Sequence, residues 1–128
     1  MFFDPRTDGM RPPPFSHSIF TALVVPRPIG WISTIDTDGV VNLAPFSYFN
    51  AIAADPPCLM YCPNGPKKGT NDPKDSLLNA EVTGEFVFNL CNYELREEMN
   101  ISARHEPRGE DEMAKVGLPP APCINVRP

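Results

Sequence analysis

Apolar and polar positions alternate most regularly from Ile29 to Ile35, where Ile29, Trp31, Ser33 and Ile35 fall on one side and Gly30, Ile32 and Thr34 on the other. A period of two predicts a β-strand. Asp36-Thr37-Asp38-Gly39 reads as a hairpin turn, with Gly39 supplying the positive φ that closes it, and Val40 to Ala44 as the returning strand. Pro45 is expected to stop the pairing, with Phe46 to Ile52 resuming in extended form. Beyond the turn signal Asp55-Pro56-Pro57, Cys58 to Cys62 has the length and apolarity of a buried strand. Phe86 to Leu90 reads as another.

Helical spacing accounts for most of the rest. Phe15, Ile19, Phe20 and Leu23 predict a helix between Phe15 and Val25 that passes into a strand at Leu23-Val24-Val25. Asp72 is the expected N-cap of a second helix, with Pro73 at its first position, Leu77, Leu78 and Val82 facing the core, and Gly84 ending it. Tyr93 to Ala103 is amphipathic, with Leu95, Met99 and Ser102 on one face. Asp111 to Val116 is a short helix stopped by Gly117 and Pro119, and Cys123 to Pro128 resembles the opening of a further strand. Residues 1–14, ending in Arg11-Pro12-Pro13-Pro14, are expected to form an extended arm ahead of one domain over residues 15–128. A hairpin, a capped helix and further strands make an α+β fold, mainly β: a small barrel flanked by helices.

Composition narrows the function. Hydrophobic content of 41% with 21% charged residues is globular, and 17 prolines among 128 residues interrupt apolar segments as strand and loop punctuation. A net charge of −5 argues against a nucleic-acid partner, which demands a clustered basic face. No apolar run approaches the roughly 20 residues of a membrane span, and no secretory pattern opens the chain, so a cytoplasmic location is the default expectation. Cys58 and Cys62 would lie roughly 13 Å apart along a strand, too far to share a zinc ion. Neither a Gly-rich dinucleotide fingerprint, a P-loop nor a nucleophile elbow is present.

Two stretches carry polar groups without an evident structural purpose. Ser33, Thr34, Asn42 and Ser47 lie near the paired strands, where neutral donors suit a polar ring edge and a polyol. Lys74-Asp75-Ser76 sits at a helix start, where amide donors, the helix dipole and a lysine favour phosphate. The plain alternatives stand beside these: Asp72 and Asp75 as caps with Lys74 solvated, Ser33 and Thr34 as ordinary strand residues, Trp31 as core, and His105 as a solvated loop residue.

The run Val25-Pro-Arg-Pro-Ile-Gly-Trp-Ile-Ser-Thr34, followed by Asn42-Leu-Ala-Pro-Phe-Ser-Tyr-Phe-Asn50 and Asp55-Pro-Pro57, resembles the flavin reductase-like, FMN-binding split-barrel family that includes flavoredoxin. Lys74-Asp75-Ser76 with Asn79 is similar to that family's Lys-Asp-Thr segment, with Ser76 in place of threonine. The resemblance covers residues 15–128, the N-terminal two thirds of the usual domain. It implies a homodimeric split β-barrel that binds FMN, or alternatively FAD, and takes hydride from NADH or NADPH for an unspecified electron acceptor. Ser33, Thr34, Asn42, Ala44, Pro45 and Ser47, with Leu43 and Phe46 between them, would then line the ring and ribityl chain. Lys74, Asp75 and Ser76 would lie near the phosphate, with Arg27 a further candidate for nucleotide charge. Cofactor chemistry needs no acid, base or nucleophile from the protein, and a non-catalytic flavin-binding or structural dimer module is the rival reading.

Overall fold

The computed structural model describes residues 3–127. Strand β1 (Gly30–Ile35) is the centre of the molecule. It is buried on both faces and pairs antiparallel with β2 (Val41–Phe46) on one side and β5 (Val87–Asn89) on the other. The β1–β2 turn is organised by Asp36, whose Oδ1 accepts from the amides of Asp38 and Val40, while Gly39 adopts φ 88°. A second sheet is the antiparallel ribbon β3 (Phe49–Ala54) and β4 (Pro57–Tyr61).

Rings join the two sheets. Phe49 stacks on Phe88 at 4.7 Å, and Tyr61 meets Phe46 at 5.1 Å and Phe86 at 4.8 Å. Helix α2 (Asp75–Thr83) packs on β1, whereas α3 (Arg96–Ser102), entered through a 3-10 turn at Tyr93–Leu95, and α4 (Glu112–Lys115) pack on β2. The expected helix at 111–116 is therefore present, with Asp111 Oδ1 capping the Ala114 amide at 2.8 Å.

Both faces of β1 are closed by polar side chains as well as apolar ones. Trp31 Nε1 donates to Ser102 Oγ at 2.9 Å, and Asn89 Nδ2 donates to Ser33 Oγ at 3.1 Å. On the opposite face Asn79 Nδ2 donates to Thr34 Oγ1 at 3.2 Å. Each bond offsets the cost of taking a polar group out of water.

Several expectations are corrected. Pro45 does not end β2 but pairs opposite Trp31, because β2 is an edge of its sheet, where a missing N–H is tolerated. Helix α1 is the single turn Ile19–Leu23, capped by Ser18; residues 23–25 find no partner strand and are exposed. Helix α2 begins at Asp75 with Lys74 as N-cap, because Asp72 closes the preceding loop by accepting the Lys67 amide. Val82 is 67% exposed, since α2 turns Ser76 and Asn79 inward instead. Strand β4 exists, but Cys58 and Cys62 are exposed because the ribbon has only two strands. Cys123 to Arg127 forms no strand; Arg127 is held by Glu85 Oε2 through its amide and Nε.

Candidate functional site

The edge position of β2 leaves room for a cleft between it, the start of α2 and the loop after α3. Asn42, Ala44, Pro45 and Phe46 form one wall, Lys74, Asp75 and Ser76 a second, and Ala103 to Glu106 a third, with Lys67 and Glu112 at its ends. Proline and alanine keep the β2 wall low, and α2 presents its N-terminal end, Lys74 to Ser76, to the cleft.

Three donors meet there without acceptors. No side chain caps the first amides of α2. Asn42 is 7% exposed, and its Nδ2 is buried without a hydrogen-bond partner. The Lys74 ammonium lies 5.7 Å from the Phe46 ring centroid and has no carboxylate partner among the described residues. Partial burial pushes the Lys74 pKa down, in the direction that favours a counter-charge beside it. An orphaned amide, an uncapped helix N-terminus and a desolvated cation together describe an anion site.

The carboxylates nearby are mostly neutralised. Asp75 is held by Lys67 at 2.6 Å and Arg108 at 3.3 Å, and Glu106 by Lys115 at 2.8 Å. Asp75, in the first turn of α2, therefore adds little net repulsion to an incoming anion.

The cleft brings together seven of the twelve residues expected to bind cofactor: Asn42, Ala44, Pro45, Phe46, Lys74, Asp75 and Ser76. The other five lie elsewhere. Ser33 and Thr34 are fully buried and committed to Asn89 and Asn79. Leu43 is buried in the core, offering its amide to Glu112. Ser47 sits in the bend after β2, outside the cleft lining. Arg27 folds back on α1, donating through its guanidinium to the carbonyls of Thr21 and Val24. Lys67, Arg104, Glu106 and Glu112 line the cleft but carry no sequence signal, because they arrive from loops and a one-turn helix distant in the chain. His105 also lines it.

Comparison with known proteins gives the family and the fold. The flavin reductase like domain matches residues 22–126. The chain belongs to the flavin reductase-like family. A relative from Aquifex aeolicus, itself uncharacterized, is 42% identical over 104 residues, which are 81% of this chain and 52% of that protein. The chain thus spans about half the length of the curated relatives it matches. Among solved structures, component B of nitrilotriacetate monooxygenase from Bacillus cereus superposes with a TM-score of 0.77 at 24% identity, covering 99% of this chain and 60% of that one. The 2-nitrobenzoate 2-nitroreductase of Pseudomonas fluorescens gives 0.68 at 28% identity, covering 85% and 50%. The fold is the split barrel of flavin reductases, mainly strands with flanking helices. Among the described residues no helix is long and apolar enough to cross a membrane.

Proposed function

We propose that this flavin reductase-like chain binds FMN in the cleft and serves NAD(P)H-dependent flavin reduction or electron transfer. The observation that carries the reading is the set of unsatisfied donors at the start of α2. Lys74 and the first-turn amides would hold the phosphate, and the Asn42 amide a further acceptor of the ligand. Phe46, Pro45 and Ala44 offer the low apolar wall that a planar ring needs, and Ser76 lies beside it for the polar chain.

When bound, the flavin would supply the redox chemistry, as a hydride acceptor at N5 for NADH or NADPH. The protein's part would be to bind, orient and exclude water. The similar 2-nitrobenzoate 2-nitroreductase of Pseudomonas fluorescens is named for a reduction, in keeping with this class of chemistry. We assign the chain to the cytoplasm, with a second copy of itself as its partner. Ile52, Met60 and Leu90 are exposed apolar side chains on β3, on β4 and just past β5, and support that association.

The test is a flavin titration read by visible absorbance, followed by NADH and NADPH oxidation with FMN or FAD. Lys74→Ala is expected to weaken FMN by about tenfold to a hundredfold, the worth of one charge-assisted hydrogen bond, and riboflavin far less. Equal loss for both ligands would refute the phosphate role. Flavin binding without nicotinamide oxidation would favour the rival, a non-catalytic flavin-binding module.

A further inference from the structure

Three carboxyl groups line the cleft, and only two have cations. Asp75 has Lys67 and Arg108, and Glu106 has Lys115. Glu112 is 7% exposed, makes no ion pair among the described residues, and is held through Oε2 by the Leu43 amide at 3.1 Å. It lines the same cleft as Asn42, the residue whose side-chain amide is unpartnered, and its hydrogen-bond partner Leu43 is the next residue along β2.

We propose that Glu112 contacts the ligand of this cleft as a neutral carboxylic acid, so that FMN binding takes up a proton; this rests on the flavin reading above. A phosphate monoester brings a charge of about −1.5 to −2 at neutral pH. An ionised Glu112 would face that charge with no counter-ion of its own. Protonated, it keeps the Leu43 amide on its carbonyl oxygen and turns an O–H donor toward the ligand, adding to the Asn42 amide.

The surrounding charges agree with this direction. Burial is the leading cause that raises the Glu112 pKa, and Asp75 from α2 and Asp111 at the α4 N-cap raise it further, against the Leu43 amide and Glu112's own amide, which lower it. Strand β2 presents no charged group to it. The cleft is also lined by the cations Lys67, Lys74 and Arg104, by His105 and by the paired Glu106. Lys115, on α4 itself, is spent on Glu106 and Glu110.

Calorimetric titration of FMN into the 128-residue chain near neutral pH, in two buffers of different ionisation enthalpy, reads the proton directly. The expected result is uptake of up to one proton, with affinity falling by up to about tenfold per pH unit above the carboxyl's own pKa. Glu112→Gln keeps an acceptor for Leu43 and should lose that uptake and that slope while still binding FMN. Any titration of the phosphate itself is common to both proteins and cancels in the comparison. Equal uptake by both, or a buffer-independent enthalpy in the unmodified chain, would overturn the proposal while leaving the flavin reading intact. The second of these needs no variant when it is repeated at about pH 8, where the free FMN phosphate is already ionised and has no proton to release, so it decides even where Glu112→Gln fails to fold. Absence of FMN binding in the unmodified chain would overturn both.

Discussion

Gly30 opens β1 directly beneath the Phe49 ring, and the contact sets how the β3–β4 ribbon lies on the main sheet. A Cβ at position 30 would stand 2.4 Å from Phe49 Cδ2 and 2.6 Å from its Cγ. Carbons rest at about 3.5–4.0 Å, so in Gly30→Ala the ring must retreat by roughly 1 Å. It has little freedom to do so, being stacked on Phe88 at 4.7 Å and carried by a strand paired to Tyr61. Overpacking of this kind costs about 1–3 kcal/mol, which lowers the Tm of a chain this size by about 4–12 °C. Phe49→Ala removes the obstacle, so Gly30→Ala should cost almost nothing in that background. Thermal unfolding of the four proteins, followed by circular dichroism, closes the cycle, with an expected coupling of about 1–3 kcal/mol. Additivity within about 0.5 kcal/mol would refute the contact, and with it the seating of the ribbon on β1.

Ser102→Ala leaves the buried Trp31 Nε1 without its acceptor and should cost about 1–3 kcal/mol in urea unfolding; the chain has one tryptophan, so its fluorescence reports the site directly. Arg27→Ala should loosen α1, read as faster amide exchange at Val24, whose amide closes the turn on Phe20, yet leave FMN affinity unchanged; a weakened flavin would return Arg27 to the site. The Glu112 carboxyl is raised above 4.5 in the fold, chiefly by burial. A raised folded pKa means that its contribution to stability is fully present below the unfolded pKa and is lost as pH rises through the folded value. Glu112→Gln should therefore stabilise the chain near neutral pH, with the gain fading as pH falls toward 4.5, and a gain independent of pH would sink this account.

Much of the fold is legible in the sequence because β1 obeys both of its signals, alternation and turn chemistry. The period-two run, the Asp36–Gly39 turn and the Gly84 cap all act locally, and local rules locate them to within a residue or two. What fails is the assumption that buried means apolar. On α2 the spacing of Leu77, Leu78 and Val82 suggests an apolar face, while the helix seats itself on β1 through Ser76 and Asn79. Asn79 is buried because Thr34 lies opposite it, forty-five positions earlier in the chain, and no periodicity carries that information.

The same blindness explains the divided outcome at the site. Ser33, Thr34 and Asn42 look alike as small polar residues on adjacent strands, and the resemblance to flavin-binding chains gathers all three. Their hydrogen bonds separate them. Ser33 and Thr34 have protein partners on either face of β1 and already spend their polar capacity inside the fold. Asn42, on the edge strand and opposite Thr34 in register, has a buried amide with no partner. A buried donor left unsatisfied costs about 1–3 kcal/mol, so a fold that retains one gains it back when a ligand supplies the acceptor. By that criterion Asn42, rather than Ser33 and Thr34, marks where the ligand lies, and Lys74, a cation without a carboxylate partner among the described residues, lines the same cleft. Flavin affinity should accordingly respond to Asn42→Ala and Lys74→Ala. Ser33→Ala and Thr34→Ala should change stability first, and binding only as far as the β1 scaffold loosens.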